Sequence, residues 1–248
     1  MRILSRIGGW MLLVAMAVNG PLAAQAQESS GAEALRVFET AAFGDSVQLV
    51  SALYRWEGGV TVRFTGTAAV RHRAWAEEQL EELRELSGLD LRRIDQIGAD
   101  ILVVFVEGFD QVTAGKYNDL LDRFVAGAGR RDALLEGFRR AETVCAGQVV
   151  ARGNVLTGGI VFIPRDQMAP VVRSCISAQI TRLLGLPFAV PDDARSVLAV
   201  NSPHAHLTRP DRLAIQLLYH PRMRAGMSRE DAATVARSVL PEILARQD

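Results

Sequence analysis

The stretch Cys175-Ile-Ser-Ala-Gln-Ile-Thr-Arg-Leu-Leu-Gly-Leu-Pro187 decides the reading of this chain. Met168, Val172, Ile176, Ile180 and Leu183 recur at helical spacing and predict a helix over 168–184 with one buried side, stopped by Gly185 and Pro187. Just upstream, Gly158-Gly159-Ile-Val-Phe-Ile163-Pro164 predicts a strand closed by proline. Further back, the run 101–106 is continuously apolar, as a strand buried on both faces requires, while residues 60–65 alternate apolar and polar behind the turn Trp56-Glu-Gly-Gly59. A helix over 72–86 carries Ala76, Leu80 and Leu83 on one side and stops at Ser87-Gly88; the charged stretch 116–142 reads as helical. Downstream, Thr208 with Asp211 three residues later caps one helix, and Ser228 with Asp231 caps the last, which runs toward Ala245. A sheet in the first part followed by a mostly helical C-terminal half is an α+β order.

The first 26 residues have the anatomy of an export signal. Arg2 and Arg6 give a basic start, residues 10–18 an apolar run, and Ala24-Gln25-Ala26 a small-residue site with cleavage expected after Ala26. The run is shorter than the about 20 residues a bilayer span needs, so no membrane anchor is expected once the signal is cut. The organisation read from this is a signal at 1–26, a lead-in at 27–42, mobile over 27–33, and one domain over 43–248. The expected location is periplasmic or secreted. Without the signal the chain keeps 26 basic residues against 28 acidic. With no basic block besides, that balance argues against a nucleic-acid partner. In an oxidising compartment Cys145 and Cys175 are expected to bridge, the alternative being two buried thiols.

A helix closed by glycine, as at Gly185, is the frame in which His-Glu-x-x-His-x-x-Gly-x-x-His or Asp builds a zinc-protease site. Aligned on Gly185, the chemical positions are Ala178, Gln179, Arg182 and Phe188. A methyl and a phenyl cannot bind zinc, a guanidinium repels it, and a carboxamide is no general base. The order of pieces is distinctive too: Ala42-Phe43-Gly44, Arg55-Trp56, Cys145, Phe162-Ile163-Pro164, Cys175, Leu184-Gly185-Leu186-Pro187, and the block Leu218-Tyr219-His220-Pro221-Arg222-Met223-Arg224-Ala225-Gly226-Met227. By these pieces the chain resembles an uncharacterised family of exported bacterial proteins, a domain of unknown function similar in fold to the zincins. The resemblance implies a degenerate zincin-like fold and export, and brings no established activity. Its members tend to read Glu-Glu-x-x-Gln where this chain has Ala178, Gln179 and Arg182.

Gln179 and Arg182 are therefore candidate binding residues of a degenerate cleft, suited to a carboxylate or peptide carbonyl; the competing reading is a solvated helix face. A metal-dependent hydrolase is the alternative, using His204, His206 and His220 beside Asp192 and Asp193. His72 reads as a surface or capped histidine. No Gly-x-Ser-x-Gly elbow and no phosphate-cradling glycine loop is present in the sequence. The expectation is a non-catalytic domain with no cofactor that binds a peptide, envelope polymer or partner protein.

Overall fold

In the computed structural model, which describes residues 20–45, 50–66, 69–125, 127–140, 143–192 and 194–246, five strands form one mixed sheet. The strands are β1 (Val60–Thr65), β2 (Leu91–Arg93), β3 (Ile101–Val106), β4 (Ala146–Arg152) and β5 (Val155–Pro164). Their spatial order is β2-β1-β3-β5-β4; all neighbours are parallel except β4, an edge strand antiparallel to β5. The fold class is α+β, as the order of elements implied.

Strand alternation divides the interior in two. Ile101, Val103 and Phe105 of β3 point into the larger core, whereas Leu102, Val104 and Val106 point to the opposite face, into a smaller core. The smaller core is covered by α3 (Phe109–Thr113), α4 (Asn118–Phe124) and α5 (Ala128–Arg139), which bring Val112, Leu121, Phe124 and Phe138. The larger is built with α1 (Gly20–Phe43), α2 (Ala69–Ser87), α6 (Ala169–Leu183), α7 (Arg209–Leu218) and α8 (Arg229–Ala245). The apolar stripe predicted over 168–184 is α6, and Val172, Ile176, Ile180 and Leu183 are all buried against the sheet side, whereas Met168, expected in the same stripe, is the helix's N-cap and 72% exposed.

Three expectations are corrected. Residues 27–33 are helical rather than loose, lying inside α1, and from Ala34 that helix is core: Ala34, Val37, Phe38, Ala41 and Ala42 have no exposed surface. The lead-in expected at 27–42 is thus largely an integral element, because Val37, Phe38 and Ala41 form a stripe that packs with α7 and α8. His72 is buried and stacks on Phe105 with ring centroids 5.4 Å apart. The signal expected at 1–26 lies mostly outside the described residues, and its cleavage point, Ala26, falls within the span of α1. Among the described residues no helix is long and apolar enough to cross a membrane.

The buried His72 makes stability pH-dependent. Burial first, then the nearby Arg71 and Arg173, hold its pKa below the usual imidazole value. The unfolded chain then takes up a proton that the folded chain resists, so this contribution is intact above about pH 7.5 and is lost progressively as pH falls below about 6.5 toward the lower folded-state value. His72→Gln should flatten the loss of melting temperature between pH 7.5 and 5, and an unchanged pH slope would remove His72 as its source.

Candidate functional site

A groove runs along α6, between the edge strand β4 and the loop 194–208. Its largest hollow, about 760 Å³, is walled by Ala178, Gln179, Arg182, the half-cystines, and Val197 and Ala199 to Pro203 of that loop. Two smaller hollows, about 360 and 440 Å³, share Arg182 with it and continue past Gly147, Gln148 and Val149 of β4 to Pro187 and Phe188. Ala178, Gln179, Arg182 and Phe188 thus all line one continuous groove. The alternative of a solvated helix face is not what is seen, since Gln179 is only 6% exposed and Arg182 is half-buried. Gly147 makes room for the amide: a Cβ there would meet Gln179 Oε1 at 3.2 Å and the Ile160 carbonyl at 2.8 Å.

The groove is cationic. Arg130, Arg140 and Arg182 line it, and among the described residues no aspartate or glutamate does. Arg182 Nη2 donates to the Leu198 carbonyl at 3.2 Å, while its Nε is buried without a partner among the described residues. Burial alone, with no carboxylate to offset it, lowers the pKa of this guanidinium. A desolvated cation with spare donors is a site for an anion or a strong acceptor.

Three sets of bonds hold the groove in shape. Cys145 and Cys175 are bridged, with Cα atoms 6.0 Å apart, which ties the entry to β4 to the second turn of α6. Asp211, fully buried, accepts from the Val197 and Thr208 backbone N–H groups at 2.9 Å each and from the Ser196 and Thr208 hydroxyls. The N-cap anticipated at Thr208 is a full capping box with Asp211 and does more than start α7: it also hangs the groove's outer wall from that helix.

The third set clasps the end of α6. The Trp56 indole N–H donates to the Leu183 carbonyl at 2.8 Å, and the Tyr219 hydroxyl donates to the Leu184 carbonyl at 2.6 Å while accepting from the Trp56 N–H. Arg55 lies over the Tyr219 ring, 4.9 Å from its centroid, and donates to the Leu218 and Met223 carbonyls at 3.1 and 2.8 Å. Carbonyls left open at a helix C-terminus are thereby satisfied by side chains. This explains Arg55-Trp56 and the Tyr219 block, which sequence reading singled out without finding a role for them.

A family model described as "Protein of unknown function (DUF2927)" matches residues 31–238. The chain belongs to the DUF2927 family. The matched span begins within α1, ends within α8 and contains the whole groove. No curated protein matches the chain. In this DUF2927 domain the three histidines named for a metal are not brought together as a ligand group, and the side chains of two of them have partners elsewhere. His206 meets Trp75 of α2 edge to face at 6.1 Å, His220 Nδ1 accepts from the Arg222 N–H and its Nε2 lies 3.8 Å from Glu242 of α8, and His204 sits in the loop beside Ser202. Asp192 accepts from Asn201, and Asp193 lies outside the described residues. Among the described residues of the DUF2927 domain, no three histidine, cysteine, aspartate or glutamate side chains form a group fit to hold a metal.

Proposed function

We propose that this protein is an exported, non-catalytic binding domain of zincin-like type, whose groove takes a peptide, envelope polymer or partner protein through an anionic or strongly accepting group. The observation that carries this reading is Arg182. It stands in the groove at a position where the zinc-protease frame has a metal ligand, it is half-buried, and its Nε has no partner among the described residues. The residues present do not fit zinc: Ala178 and Phe188 offer no donor atom, Gln179 only a neutral amide, and Arg182 a repelling charge. Export agrees with the bridged cysteines, since disulfides persist outside the cytoplasm. Cleavage after Ala26 would leave untouched the part of α1 that packs in the core. The hydrolase reading at His204, His206 and His220 has no such supporting geometry.

Two measurements test the reading. The purified protein should contain no stoichiometric zinc, and a chelator should leave its melting curve unchanged; zinc with chelator-sensitive peptide cleavage would overturn it. A photo-crosslinking residue at Val200, on the groove rim, should capture a partner in the exporting cell that one at Ile97, exposed in the turn between β2 and β3 and outside the groove lining, does not. Arg182→Gln should abolish that capture at a stability cost of about 1 kcal/mol, because the Leu198 carbonyl keeps its bond from the Val190 N–H at 3.1 Å. Unchanged capture would remove the groove as the functional site. Arg182→Ala is not the near-neutral surface change that an exposed arginine implies, since it also empties a half-buried position.

A further inference from the structure

The edge strand beside the groove specifies what kind of chain the groove receives. In the β4–β5 ladder Val149 lies opposite Gly159, and Gly147 opposite Val161. The Gly159 N–H is used on the other side of β5, donating to the Asp100 carbonyl at 2.9 Å. Val149 and Gly159 are therefore a non-hydrogen-bonded pair, and two residues away Gly147 and Val161 are another. The backbone N–H and C=O of Gly147 and Val149 consequently point away from the sheet. Both residues line the hollow that holds Gln179 and Arg182, and among the described residues neither makes a backbone–backbone bond outside the ladder. The Gln148 side chain folds onto the Val149 carbonyl at 3.0 Å, filling the place of a strand partner in its absence.

Two donors and two acceptors at strand spacing match the backbone of an extended polypeptide, and a polysaccharide does not repeat amides in that register. The cations add a second requirement. Arg182, flanked by Arg130 and Arg140 and facing no described carboxylate, is complementary to a carboxylate on that peptide. The mouth of the largest hollow is apolar, with Val144 45% and Val200 68% exposed, which suits an apolar side chain next to the charged group.

We propose that the groove binds an extended peptide added as a strand to the outer edge of β4 through Gly147 and Val149, with a carboxylate of that peptide bonded to Arg182. This rests on the binding-domain reading above and narrows its ligand from any anionic partner to a peptide. The carboxylate is a free C-terminus or an aspartate or glutamate side chain; the chemistry is shared, and the test separates them.

Random octapeptide libraries, one with free carboxyl termini and one amidated, are selected on the full exported protein. Binding at least tenfold weaker for amidated peptides identifies the C-terminus; Asp or Glu enriched equally in both libraries identifies a side chain. In either case a selected peptide should lose at least tenfold in affinity against Arg182→Gln, and as much when its alternate amides are N-methylated. Val149→Pro gives a second readout, because it removes an outward N–H that the sheet does not use and so spares the ladder while blocking strand addition. It should keep the melting temperature near that of the parent and lose the peptide. Recovery of peptides without a carboxylate, binding indifferent to Arg182→Gln or Val149→Pro, or no enrichment from either library would overturn the proposal. If crosslinking at Val200 still captured an Arg182-dependent partner, the groove would remain a binding site for a different ligand.

Discussion

Gly185→Ala should destabilise the protein by about 3 kcal/mol, combining a backbone conformation alanine resists with an overpacked contact. Gly185 has φ +118°, a region that L side chains rarely enter, and a Cβ built there would lie 2.4 Å from the Tyr54 carbonyl oxygen. That neighbour is backbone and cannot swing aside as a side chain would. For a domain of this size the loss corresponds to a fall in melting temperature of roughly 6–12 °C. The turn also sets the path from α6 to Phe188, whose N–H donates to the Ala41 carbonyl at 3.0 Å, so the variant should weaken groove binding in step. A melting temperature within 2 °C of the parent, roughly what a loss under 1 kcal/mol gives, would show that the turn relaxes freely.

Breaking the Cys145–Cys175 bridge should cost about 3 to 4 kcal/mol, the loop-closure value for residues 30 apart in sequence. Cys145→Ser with Cys175→Ser, compared with the parent under oxidising and reducing conditions, measures it by denaturant midpoint. The reduced parent and the double variant should coincide. Because the half-cystines line two hollows of the groove, the same variant should bind peptide more weakly even where it remains folded. A midpoint insensitive to reduction would assign the native stability to packing alone.

Where the sequence carried strong periodicity it predicted the structure closely. β3, β5 and α6 are buried on the faces their apolar runs require, and the caps at Thr208 and Ser228 receive the Asp211 and Asp231 N–H groups as their spacing implied. What escaped had weak or misleading local signals. β4 is half-exposed along most of its length and begins Ala-Gly-Gln, so it shows neither the alternation of a half-buried strand nor the run of a buried one. β2 is three residues long. The core stripe of α1 was legible at Val37, Phe38 and Ala41 but stood behind polar residues that resemble a lead-in. His72, between Arg71 and Arg73, looks solvent-facing; only the packing of α2 on Phe105 buries it.

The candidate site was half legible. Gln179 and Arg182 were found by aligning on Gly185, yet the absence of any described carboxylate around them was not, since Arg130, Arg140 and the loop 196–203 converge only through tertiary structure. The free edge of β4 was equally hidden, because backbone direction depends on register and not on residue type.

The clasp on α6 joins distant parts of the chain: Trp56 reaches Leu183 across 127 residues, and Arg55 reaches Met223 across 168. Contacts of such long range close late and slow folding, because the intervening chain must first be brought together. The groove therefore cannot take its final form until the segment around Tyr219 to Met223 has been delivered, and a chain that has emerged only as far as α7 would hold an unfinished groove. Any ligand that depends on the finished groove would meet it only after nearly the whole polypeptide is in place.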